Sequence, residues 1–137
     1  MKAQQSEKKE YGFSRTIDAA FDEVVERTRE TLKQEGFGVL SEIRIDEKLK
    51  EKLGVDFRRY VILGACNPAL AHKALQLEDK VGTMLPCNVI VQEIAGGGTE
   101  IAAIDPVASM MAIDNPRLKQ AAEEVRTKLR KAIEGLQ

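Results

Sequence analysis

Residues 87–104 read "CNVIVQEIAGGGTEIAAI". Cys87, Val89 and Val91 alternate with Asn88, Ile90 and Gln92, the period of two expected of a strand. "AGGG" at 95–98 is a turn, because it joins two strand-like runs and does not open a helix, as a phosphate-binding loop would. "TEIAAI" at 99–104 is then the return strand of a hairpin. One antiparallel hairpin in a chain of alternating strands and helices rules out a purely parallel, doubly wound sheet. The class is therefore α+β.

Working back towards the N-terminus, "FRRYVILGAC" at 57–66 is apolar on both faces in its second half and reads as a central strand. "NPALAHKALQL" after it is a helix, and "EDKVGTMLP" a loop leading into the hairpin. "YGFSRTI" at 11–17 and "FGVLSEIRI" at 37–45 are further strands. Between them, Phe21, Val24, Val25, Thr28 and Leu32 share one helical face, with Asp18 as the expected N-cap and Gly36 as the stop. "DEKLKEKLGV" gives a short helix with Asp46 as its cap and Gly54 as its end; its lysines alternate with glutamates, the pattern of a solvated face.

The last helix is the plainest. Leu118, Ala122, Val125, Leu129, Ala132, Ile133 and Leu136 fall within a stripe of roughly 80°. The expected order is β-α-β-(α)-β-α-β-β-α, a single domain over residues 10–137 with a mixed five-stranded sheet and helices packed on it. Residues 1–9 carry no apolar periodicity and are expected to be a flexible tail.

A chain of 137 residues suits one core, and 43% apolar with 31% charged residues is ordinary for a globular protein. The net charge of −1, with both signs dispersed, lacks the field of a nucleic-acid binder. No run approaches the ~18 apolar residues of a membrane span, and the N-terminus has no signal-peptide core. The expectation is a cytoplasmic protein with reduced thiols, and without a nucleic-acid or membrane partner.

"GACNPALAH" at 64–72 concentrates the unusual chemistry, holding Cys66 and the single histidine, His72. Its Asn67-Pro68 pair recurs as Asn115-Pro116, again before a helical pattern; Asn caps and Pro at the first helical position explain both. Cys66 lies between a strand end and a helix N-terminus, where the positive end of the helix dipole favours a thiolate, so it is the candidate nucleophile. His72 falls on the polar face of its helix and reads as a surface residue. Cys87 reads as a core residue.

Cys66, His72, Cys87 and a carboxylate lack the paired spacing of structural zinc sites, and no metal is expected. Haem has axial candidates in His72 or Cys66 but no attachment motif, so no cofactor is identified. In "DPVASMMAIDNP", Met110 and Met111 occupy a connection, where adjacent methionines suit an adaptable contact surface or pocket lid as readily as core filling.

With "GFGVLSEI", "LGACNP", "LPCNV" and "IDP" in hand, the chain resembles the bacterial and archaeal family called domain of unknown function 302. The resemblance runs from about Tyr11 to the last helix. It implies a small α+β domain that forms a homodimer, supplies no catalytic residues, and marks the two Cys-Asn positions as family signature elements. The expected site is Cys66, Asn67, Cys87, Asn88, Met110 and Met111, binding a small apolar or redox ligand. A thiol enzyme or sensor using Cys66 is the alternative, and a structural subunit without ligand a third. Whether Cys66 and Cys87 meet depends on topology: a single crossover helix puts them at opposite ends of the sheet, and a returning loop puts them at the same end.

Overall fold

The structure is a computed structural model that describes residues 11–137 and the backbone of the two-residue strand Glu7–Lys8. Five longer strands follow that first one, β1: β2 (Gly12–Ile17), β3 (Gly38–Arg44), β4 (Tyr60–Cys66), β5 (Cys87–Glu93) and β6 (Thr99–Ile104). The order across the sheet is β1-β2-β6-β5-β4-β3, and every neighbouring pair is antiparallel. The α+β class and single domain are as the sequence indicates. The sheet is not mixed, however, and β1 makes it six-stranded. The rest of the expected tail lies outside the described residues.

Two connections explain the uniform antiparallel pairing. Helix α1 (Phe21–Gln34) carries the chain from β2 across the sheet to β3, so these two strands point the same way but lie too far apart to pair. Between β4 and β5 the chain descends through α3 (Pro68–Leu77) and returns through a 3-10 helix (Asp79–Met84). A lone crossover helix would deliver β5 to the opposite end of the sheet and make it parallel; a helix followed by a return segment does not.

Local signals set most boundaries. Helix α1 ends before Gly36 and α2 (Ile45–Leu53) before Gly54, both at positive φ. The expected caps Asp18 and Asp46 are displaced: α1 begins after Ala20 without a side-chain cap, and α2 begins after Arg44. Asp46 lies within the first turn of α2. There it accepts from Arg44 Nε at 3.1 Å, from Arg44 Nη2 at 2.8 Å and from the Tyr60 backbone N–H at 3.2 Å, tying α2 to the start of β4. A short helix, α4 (Pro106–Ser109), fills the connection after β6, and α5 (Pro116–Glu134) closes the fold.

The helices cover one face of the sheet. Arg44, Val61, Val91, Ile101 and Arg15 form one in-register row on that face, and Glu42, Leu63, Val89, Ala103 and Phe13 the next. Val61, Leu63, Val89, Val91 and Ile101 are fully buried there under α1 and α5. Arg15 is buried too, and its Nη1 donates to the carbonyls of Ile133, Glu134 and Leu136 at 2.6–2.9 Å. One guanidinium thus gathers three carbonyls at and just beyond the end of α5, of which that of Ile133 also accepts the Leu136 N–H at 3.3 Å. Burial lowers its pKa, partly offset by Glu134.

The opposite face carries the in-register row Ile43, Ile62, Ile90, Ala102 and Ser14. None of the three isoleucines is buried, and Ile43 is 43% exposed.

Candidate functional site

The β4–β5 ladder pairs Ala65 with Cys87 and Gly64 with Asn88, so the end of one strand and the start of the next meet at one edge. Cys66 and Cys87 are therefore one ladder position apart, the second of the two topologies the sequence leaves open. Gly64 permits the close approach here: a Cβ on it would run into the Ser41 hydroxyl, and would stand 2.8 Å from Pro86 Cγ.

Immediately after Cys66, the Asn67 side-chain oxygen accepts from the Leu70 N–H at 3.2 Å and caps α3, with Pro68 at the first helical position. Leu70, Ala71 and Ala74 then turn inward at helical spacing. Asn115 caps α5 in the same way, accepting from the N–H groups of Arg117 and Leu118. It does more than its twin, because its Nδ2 also donates to the Leu77 carbonyl at 3.2 Å and fastens the end of α3 to the start of α5.

Between α3, α5 and this edge of the sheet lies a cavity of about 30 Å³. Ala65 and Cys87 contribute from the sheet, Leu70 and Ala74 from α3, Leu118 and Ala122 from α5. Cys66, Asn67 and Met110 also line it. The lining contains no carboxylate, imidazole or ammonium group. The cavity sits on a seam: Phe37, Ala65 and Cys87 belong to the main core under α1, whereas Ala74, Met110, Leu118 and Ala122 belong to a second cluster that includes Val81.

Four of the six expected site residues thus border one space: Cys66, Asn67, Cys87 and Met110. The other two do not. Asn88 follows Cys87 in a strand, so the pleat turns it to the uncovered sheet face, where it is exposed beside Ile90 and Tyr60. Met111 is 68% exposed, one residue beyond buried Met110. Period-two alternation around Cys87 already carried the first of these distinctions. His72 is exposed on α3, as its helical angle requires, and Leu75 on the same helix is 43% exposed. The sequence marks Leu118, Ala122 and Val125 as a packing stripe and not as a site, because apolar residues on a packed helix face look the same whether they meet a neighbour or a void.

Both cysteines are free thiols. Burial, and after it the nearby Cys66 thiol, push the Cys87 thiol up to about 11, so it stays protonated near neutral pH and is no nucleophile. Among the described residues, no three His, Cys, Asp or Glu side chains converge as a metal-ligand set, and no buried side-chain nitrogen or oxygen lacks a partner. No helix among them is long and apolar enough to cross a membrane.

Residues 13–136 match the family model described as Domain of unknown function DUF302. The chain belongs to the DUF302 family. A solved DUF302 structure, titled "Crystal structure of uncharacterized conserved protein DUF302 from Bacillus stearothermophilus", is 35% identical to it, with a TM-score of 0.85. The alignment covers 92% of this chain and 98% of that one, so the DUF302 fold accounts for nearly the whole molecule. No curated protein matches the chain.

Proposed function

We propose that this DUF302 protein is a homodimeric binding module whose seam cavity, bordered by Cys66, Asn67, Cys87 and Met110, receives a small apolar or redox-active ligand. The observation that carries this reading is the convergence of three separate connections on one apolar space. A space of about 30 Å³ holds roughly one water-sized particle, and water needs two to four polar partners that these walls do not supply. A seam between two packing clusters is also where helices part with the least loss of contact, so α3, which buries only Ala74 fully, is the natural element to yield to a larger ligand.

The uncovered sheet face supports the dimer. Ile43, Ile62, Ile90 and Ala102 lie side by side there, and exposed Tyr11 and Phe57 extend the apolar surface. Five strands at ~4.8 Å spacing and ~3.4 Å per residue present roughly 500 Å² of projected area, the right scale for a partner contribution of ~800 Å² once side-chain relief is added. A net charge of −1 sets up little repulsion between copies.

Methyl-labelled protein under xenon pressure tests the cavity. The methyl signals of Leu70, Met110 and Leu118 are expected to shift selectively, and Ala71→Leu, which fills the space, to abolish the effect. Unmoved signals in the wild-type chain would sink the ligand site. Sedimentation tests the assembly: the wild type is expected as dimers and Ile62→Asp as folded monomers, and a monomeric wild type defeats that half.

A further inference from the structure

Three sulfur atoms belong to residues on the border of the seam cavity. Cys66 closes β4, Cys87 opens β5 one ladder position away, and Met110, 5% exposed, follows α4. The remaining walls are hydrocarbon except for Asn67, whose side-chain oxygen already accepts the Leu70 N–H. Hard cations such as magnesium or calcium require several oxygen ligands, which this lining lacks. Soft sulfur donors suit copper(I), zinc and iron–sulfur clusters; zinc takes four Cys, His or carboxylate ligands and the clusters four thiolates, so two thiolates and one thioether point to copper(I). At about 30 Å³ the space suits a single ion without rearrangement, whereas an organic molecule requires the helices to part.

We propose that Cys66, Cys87 and Met110 bind one copper(I) ion, through two thiolates and one thioether. The proposal rests on the reading of the seam cavity as the ligand site and names the ligand. Each thiol gives up its proton as its sulfur bonds to the metal, so one ion entering releases two protons and the bound group carries a charge of −1. The N-terminus of the ten-residue helix α3, directly after Cys66, lends partial positive charge to that group. Copper stays in the +1 state throughout, and no external oxidant or reductant takes part.

The test is an anaerobic titration of the reduced full-length chain with copper(I) against bicinchoninate, a coloured chelator that loses its absorbance when copper is withdrawn. One equivalent per chain is expected to leave the chelator. Cys66→Ser and Cys87→Ser are each expected to weaken binding at least ~100-fold, and Met110→Leu, which keeps the volume of the side chain, about tenfold. Circular dichroism confirms that each variant is folded. The proposal is overturned if the chelator keeps its copper, if Cys87→Ser binds as tightly as the wild type, or if one ion is shared by two chains through Cys66. Xenon separates the two levels: methyl shifts without copper binding overturn only the metal, and the loss of both overturns the cavity reading as well.

Discussion

Ala65 and Cys87 are direct partners in the antiparallel β4–β5 ladder, and that single pairing brings Cys66, half-buried at the end of β4, beside Cys87, 6% exposed at the start of β5. The two thiols consequently differ in reactivity. Near neutral pH, iodoacetamide is expected to modify Cys66 first and to reach Cys87 only on unfolding, at rates that peptide mass spectrometry reads directly. Equal rates in the native protein would contradict the burial of Cys87.

The same burial makes stability depend on alkaline pH. Cys87 has a folded pKa raised from 9.0 to about 11, so the folded state favours the neutral thiol. Its contribution is fully present below about pH 9 and is lost as pH rises through about 11, on the order of 3 kcal/mol in all. Urea denaturation across that range should show the decline, and Cys87→Ala should flatten it.

Asp46 acts at the other end of the scale. Burial alone would raise its pKa, but the Arg44 hydrogen bond, the Tyr60 N–H and the Arg44 charge outweigh it and hold the carboxylate below 3.8. Its contribution is therefore present above about pH 4 and disappears as pH falls through the lowered value. Asp46→Ala is expected to cost about 1–2 kcal/mol near neutral pH and progressively less in acid, as chemical denaturation at each pH will read.

Arg15 closes the C-terminal end of α5 through three carbonyls from inside the protein. Arg15→Met keeps the apolar stem but removes the donor to all three carbonyls, of which only that of Ile133 keeps a backbone N–H partner, at an expected loss of about 2–3 kcal/mol. Hydrogen exchange should quicken first in the last turn of α5. Arg15→Lys should recover only part of the loss, because one ammonium cannot reproduce the planar fork.

The two Asn-Pro pairs, alike in sequence, are unequal in the fold. Asn67→Ala removes a helix cap worth about 1 kcal/mol. Asn115→Ala removes a cap and the bond to Leu77, and is expected to cost about 2 kcal/mol. Thermal unfolding of the two variants side by side gives the difference, and equal losses would mean that the α3–α5 tie carries no weight.

The sequence by itself determined the local elements and their class. Alternation at 87–104 defined the hairpin, Asn-Pro marked two helix starts, and the stripe from Leu118 to Leu136 defined α5, because each depends on neighbours a few residues away. Only the tertiary structure decided that every strand pair is antiparallel, that Cys66 and Cys87 share a sheet edge, and that Asn115 reaches Leu77. Those outcomes rest on where α1 and the α3–3-10 connection deliver the chain, and therefore on packing between residues far apart in sequence. The cavity belongs to the same order of fact. It exists because two separate apolar clusters meet imperfectly between α3 and α5, a mismatch of surfaces to which no short stretch of sequence corresponds.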